Sequence, residues 1–396
     1  MKLRRKLLLA GSVAIVGAAA AVLPMAASNA AVACASAWSA TAVYVNGNTA
    51  SQNSHNYTAK WWTQNESPAT HSGQWDVWAD NGTCGGGTTP TTPPTTSPTT
   101  PPSTGTKMAS APYIYPGWGN PPAPSTVVNV TGIKAFTMAF VLASNGCNPA
   151  WDGESGLTGG VHASTVSAIK AAGADVVPSI GGWSGNKLGP NCSTTAALAG
   201  AYQKVIDAFG LKAIDIDIEN TDEFENTAVQ DRILGALKII KQNNPSVKTI
   251  LTFGTSTTGP TYYGTRLVQQ ANALGANIDI FTQMPFDFGG GSDMYTATVN
   301  ASEGLKNLLK STFGYTDAQA YSHMGISGMN GLSDQQEVTS TDTWTRIRDY
   351  AKGKGFARFT FWAVNRDRGC AGGGVVSDCS GIAQADWAFT KISAGF

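Results

Sequence analysis

The sequence predicts an α/β protein, a (β/α)8 barrel preceded by a small all-β module stapled by a disulfide. Three observations carry that prediction. Eight apolar runs with strand character alternate with helical or loop segments across residues 108–396. A Thr/Pro tract, GGGTTPTTPPTTSPTTPPSTG from Gly85, separates that stretch from a short aromatic-rich segment. Cys34 and Cys84 bracket the short segment.

In chain order, residues 1–30 come first and carry the pattern of an export leader. Lys2, Arg4, Arg5 and Lys6 precede an apolar run over 7–22, and small residues follow through Ala27, Ala30 and Ala33. Cleavage after Ala30 or Ala33 fits equally, and Arg4-Arg5 leaves the twin-arginine route open. A membrane anchor is disfavoured, because no second apolar segment follows and the small-residue boundary suits a peptidase. The expected location is therefore extracellular.

Residues 34–84 form a module of about 50 residues, too small for a large core without a covalent staple. It holds Trp38, Tyr44, Tyr57, Trp61, Trp62, Trp75 and Trp78. A domain this small cannot bury all of them, so some rings should lie exposed as flat platforms, suited to stacking on sugar rings. Residues 85–107 cannot bury a core and are expected to act as a semi-stiff tether of several tens of Å, or as a glycosylated stalk of the same reach.

Over residues 108–396 the predicted strands are 113–118, 135–143, 174–181, 212–219, 249–254, 278–287, 321–327 and 358–364. Helical patterns lie between them, for example at 161–172, 194–209, 229–242 and 263–274. A doubly wound open sheet is the alternative, disfavoured by the count of eight and by polar residues at the C-terminal ends of several strands.

Composition narrows the function classes. Twenty-six basic residues balance 26 acidic ones, and only 13% of residues are charged, so nothing points to nucleic acid or an anionic membrane. Six cysteines in an exported chain suggest three disulfides, and proximity pairs Cys34–Cys84, Cys147–Cys192 and Cys370–Cys379 among the roughly 15 connectivities possible. No C-x-x-C pair occurs and the four histidines are scattered, so no metal site is expected. No cofactor motif is present, and a monomer is expected.

The chemistry concentrates in LKAIDIDIEN, residues 211–220. Asp215, Asp217 and Glu219 alternate with Ile214, Ile216 and Ile218, so the carboxylates share one face of a strand. Carboxylates two residues apart lie about 6–7 Å from one another and raise each other's pKa. Alone, the pattern most often marks a strand with one wet face, with a carboxylate cluster for a divalent cation as the second reading. As fourth strand of eight it faces the barrel interior, with Glu219 at the C-terminal end where barrel active sites form.

Further motifs carry a family resemblance. PSIGGW at 178–183 matches an S-x-G-G signature through Ser179, Gly181 and Gly182, and the fourth strand matches D-x-x-D-x-D-x-E at Asp215, Asp217 and Glu219. QMPFDF at 283–288 matches M-x-Y-D at Met284 and Asp287, and Trp362 matches an eighth-strand tryptophan. Over residues 108–396 the chain thus resembles glycoside hydrolase family 18, the chitinases. The module, through YTAKWWTQNESP at 57–68 and WDVW at 75–78, resembles the chitin-binding modules of carbohydrate-binding families 5 and 12. That likeness implies Trp61 and Trp62 as its sugar-facing pair.

The resemblance implies hydrolysis of chitin with retention, assisted by the substrate's own acetamido group. Glu219 would be general acid and base, Asp217 the acetamido partner, Asp215 its proton-sharing neighbour and Asp287 a polar support. Trp362 would floor the site, with Met284, Phe286, Trp118 and Trp183 lining the cleft. Two positions depart from the family pattern: Lys212 stands where the first motif Asp would be, and Phe286 replaces the usual Tyr and cannot donate a hydroxyl bond. A chitin-binding lectin on the same barrel and an endo-β-N-acetylglucosaminidase acting on N-glycans are the competing functions. The intact Glu219 argues against the first, and the attached module against the second.

Overall fold

The computed structural model describes residues 32–396 except 46, 62, 74–75, 86–107 and 371–373. The leader 1–30, nearly all of the tether, Trp62 and Trp75 lie outside the described residues. Contacts divide the chain into two compact units, with the boundary inside the Thr/Pro tract.

In the first unit, strands Thr49–Gln52, His55–Ala59 and Trp78–Thr83 form an antiparallel sheet, and Val43–Tyr44 pairs with Thr63–Gln64. Ala50, Tyr57, Ala59 and Trp78 are its buried core, with Trp38 and Tyr44 packed partly against them. Trp78 Nε1 donates to the Glu66 carbonyl at 2.9 Å, so the buried indole leaves no polar group unsatisfied. A disulfide joins Cys34 to Cys84, whose Cα atoms are 4.9 Å apart.

Beside three short antiparallel strands, the second unit is built on eight parallel barrel strands in sequence order: β1 (Tyr113–Ile114), β2 (Ala135–Ser144), β3 (Asp175–Gly181), β4 (Ala213–Ile218), β5 (Lys248–Gly254), β6 (Ile280–Met284), β7 (Met324–Met329) and β8 (Arg358–Trp362). Each pairs in parallel with the next, from β1 to β8. The Phe359 N–H donates to the Ala109 carbonyl at 2.8 Å, and Thr360 Oγ1 to the Ala111 carbonyl at 2.6 Å, bringing β8 round to the chain entering β1. Between strands run α1 (Pro124–Thr131), α2 (Gly160–Ala171), α3 (Thr195–Phe209), α4 (Thr227–Asn243), α5 (Tyr262–Ala273), α6 (Met294–Phe313) and α7 (Thr341–Lys354), and α8 (Ala388–Ala394) follows β8. The parallel, nearly closed sheet with its ring of helices fits a (β/α)8 fold.

Local chemistry sets the helix ends. Thr194, Asn226, Thr261, Asp293 and Ser340 each accept a backbone N–H at an N-cap, and glycines in the left-handed region close α1, α3, α6 and α7. Three expected strand bounds miss by three residues or more. β1 is two residues long rather than 113–118, because Pro116 lacks an N–H and Gly117 follows it. β6 stops at Met284 rather than 287, ahead of Pro285. Residues 317–322, partly assigned to the seventh strand, form a helical turn under a Thr316–Gln319 capping box, so β7 starts at Met324.

Every residue of β4 is buried. Ile214, Ile216 and Ile218 join the outer core between sheet and helices, which leaves Asp215 and Asp217 to the barrel interior. Disulfides also join Cys147 to Cys192 and Cys370 to Cys379, both in segments that follow strands.

Candidate active site

Asp215 is fully buried and its carboxylate is saturated with donors. Thr252 Oγ1 reaches Oδ1 at 2.6 Å; Ser179 Oγ at 2.7 Å and the Tyr113 hydroxyl at 2.8 Å reach Oδ2. The Arg358 guanidinium lies 3.9 Å from Oδ1, on the floor of the barrel. These partners come from β1, β3, β5 and β8, so barrel closure itself builds the cradle. Lys212, at the foot of β4, is largely exposed and pairs with Asp175 at 3.4 Å, well away from these groups.

One step up the strand, Asp217 is 3% exposed. Its Oδ2 meets the same Tyr113 hydroxyl at 3.4 Å, and its Oδ1 has no hydrogen-bond partner. Burial, together with the negative charges of Glu219 and Asp215, pushes its carboxyl well above the usual carboxylate range. Burial and the two aspartates likewise push the Tyr113 hydroxyl up, so it stays a donor.

The glycines of the S-x-G-G motif have a steric reason here. Gly181 lies at φ 114°, and a Cβ there would sit 2.1 Å from the Asp217 carbonyl oxygen, which instead accepts the Gly182 N–H at 2.9 Å. A Cβ on Gly182 would press into the Phe140 ring at 2.8 Å.

Glu219, half-buried, follows β4 directly and opens into a cleft of about 1100 Å³. Burial lifts its carboxyl to about 7; Lys187 opposes the rise, and Asp287 and Asp334 add to it. A carboxyl protonated up to neutrality, at the mouth of a large cleft, can give a proton to a leaving group. Asp217, Met284, Phe286, Asp287, Trp118, Trp183 and Trp362 line the same cleft. Trp362 stacks on Phe140 at 5.5 Å and meets Tyr113 edge-on at 5.7 Å, forming an aromatic floor. Trp118 and Trp183 are 49% and 67% exposed, open enough to receive a ring.

Asp287, at φ 58°, accepts the Gln335 N–H at 3.0 Å, and burial raises its carboxyl. Phe286 sits half-buried beside it. On the strands flanking β6, Thr255, just past β5, and Ser327, on β7, also line the cleft.

Several groups escaped the sequence reading. Tyr113 bridges the two aspartates from 102 and 104 positions away. Lys187 is buried near Glu219, and Glu223 is 2% exposed with its carboxyl lifted by burial to about 8. Asp152 accepts the Tyr115 hydroxyl at 2.9 Å and lies 3.1 Å from His162 at another part of the cleft. Only the strand pattern could have hinted at Tyr113; Lys187 and Glu223 sit in short connections between strand and helix, without periodicity.

Among the described residues no group of three or more His, Cys, Asp or Glu is placed to hold a metal ion, and no helix is long and apolar enough to cross a membrane. In the small module Trp61 is 46% exposed. Its expected companion, Trp62, falls outside the described residues.

No family model matches the chain. It is similar to a probable bifunctional chitinase/lysozyme of Escherichia coli (strain K12), 26% identical over 281 residues, covering 66% of this chain and 31% of that protein. It is also similar to Endochitinase 11 of Metarhizium anisopliae, 25% identical over 279 residues, covering 66% of this chain and 53% of that protein. Thus the chain spans between about a third and about a half of these relatives. Among solved structures it is similar to the catalytic domain of a hyperthermophilic chitinase from Pyrococcus furiosus, with 26% identity and a TM-score of 0.66, over 72% of this chain and 93% of that one. These likenesses support a chitinase-like glycoside hydrolase domain. They join the fold of the barrel to the cleft just described.

Proposed function

We propose that the chain is an exported chitinase, cutting β-1,4-linked N-acetylglucosamine polymers with retention of configuration through the substrate's 2-acetamido group. The observation that carries this is the placement of Glu219. Its carboxyl, raised by burial to about 7, opens into the cleft that Asp217, with its unpartnered Oδ1, also lines.

The reacting sugar rests on Trp362. Its acetamido N–H donates to Asp217 Oδ1, which turns the carbonyl oxygen toward the anomeric carbon. Glu219 protonates the glycosidic oxygen as that carbonyl displaces it, giving an oxazolinium ion. Asp217, which meets the same Tyr113 hydroxyl that Asp215 accepts, stabilises the cation. The Glu219 carboxylate then takes a proton from water, which opens the oxazolinium. Because Phe286 offers no hydroxyl, the acetamido oxygen relies on a neighbouring donor, with Thr255 and Ser327 the nearest in sheet order. Residues 1–30 direct export, residues 34–84 hold the enzyme to chitin, and residues 85–107 space the two.

Incubation with chitin, chitin oligosaccharides and an N-glycosylated protein tests this. Soluble oligomers should appear from the first two, with the β-anomer formed first by NMR. Release of glycans from the glycoprotein alone, or binding to chitin with no products, would overturn it.

A further inference from the structure

Behind the acid lies a layer of side chains that the mechanism above does not use. Lys187 is 1% exposed, on the segment that follows the exposed Trp183. Its Nζ lies 3.4 Å from the Trp183 carbonyl oxygen and 3.6 Å from Asp222 Oδ1. That carbonyl also accepts from Asn220 Nδ2. Asn220 is the residue after Glu219 and lies in the left-handed region at φ 66°. Nearby the Gly189 N–H donates to Glu223 Oε1 at 3.2 Å. The segment 183–189 and the turn 220–224 are therefore joined at three points; Lys187 makes one of them, through Asp222, and also holds the Trp183 carbonyl within its own segment.

A buried ammonium is costly unless anionic groups surround it. The contacts of Lys187 are too long for a tight ion pair, so its charge is shared among several acceptors. Asp222 is the nearest carboxylate. The charge also acts on Asp217, Glu219 and Glu223, and in each it opposes the rise caused by burial.

We propose that Lys187 is a positioning residue for the acid, holding the turn after Glu219 against the Trp183 segment and fixing a positive charge behind the carboxylates at the end of β4. This rests on Glu219 being the acid. Groups facing Glu219 come from every neighbouring element: Asp217 on its own strand, Glu223 on the turn after it, Lys187 from the segment after β3, Asp287 after β6 and Asp334 after β7. Lys187 is the one cation among them. Without it only carboxylates remain, so Glu219 would bind its proton more tightly, and the leaving group would be protonated by a weaker acid.

The test uses the full chain with Lys187→Met, Lys187→Gln, Asn220→Ala and Glu219→Gln, recording kcat and KM from pH 4 to 9 on a soluble chitin oligosaccharide. Lys187→Met should move the alkaline limb of kcat up by about one pH unit and lower kcat at the optimum about tenfold, with KM little changed. Asn220→Ala should lower kcat without moving the limb. If Lys187→Met fails to fold, Lys187→Gln reads the same limb. A limb unmoved in every folded Lys187 variant, beside an inactive Glu219→Gln, overturns the role of Lys187 alone. An active Glu219→Gln overturns the acid assignment itself.

Discussion

Glu223→Gln isolates the electrostatic cost built into this site. Glu223 is 2% exposed, its Oε1 accepts the Gly189 N–H, and its Oε2 has no partner. Burial lifts its carboxyl from 4.5 to about 8 in the folded chain. The folded state therefore holds this proton more tightly than the unfolded one. Its contribution to stability is complete below 4.5, declines as pH rises from there to about 8, and is level beyond. At about 1.4 kcal/mol per unit, the decline is on the order of 5 kcal/mol. Gln cannot titrate and keeps the acceptor for Gly189. Urea denaturation, followed by helical ellipticity, reports the barrel because every described helix lies there. At pH 5 the two proteins should differ by about 1 kcal/mol or less, and by pH 8.5 the variant should lead by several. A difference that stays constant from pH 5 to 8.5 would refute the reasoning.

Other predictions follow from the same geometry. With Glu219 near 7, kcat/KM should fall about tenfold per pH unit above neutrality, read on soluble oligosaccharides. Tyr113→Phe removes a donor from Asp215 and the bridge to Asp217. It should lower kcat more than it raises KM and cost about 1–3 kcal/mol in urea denaturation. Trp61→Ala should weaken retention on insoluble chitin while leaving hydrolysis of soluble oligomers intact, measured by pull-down and by product assay.

The sequence made some features legible and hid others for physical reasons. Alternation in β4 is a local, period-two signal, and the isoleucines and aspartates fall on the two faces it implies. Helix caps are equally local. Strand ends proved harder, because Pro116, Pro285 and the capping box at Thr316 each stop or replace a strand while the apolar run continues. The partners of the carboxylates were not legible. Tyr113 meets Asp215 across 102 positions, and Arg358 meets it across the closed barrel, with no pattern linking them in the chain. Lys187 and Glu223 were missed because a buried charge in a short connection has the same local sequence as an exposed one.

The central claim is that Glu219 supplies the proton, and Glu219→Gln tests it most directly. Assayed at pH 6 on a chitin oligosaccharide, the variant should lose at least about 1000-fold in kcat while binding the ligand as tightly as the parent. Hydrolysis within about threefold of the parent rate would contradict the account.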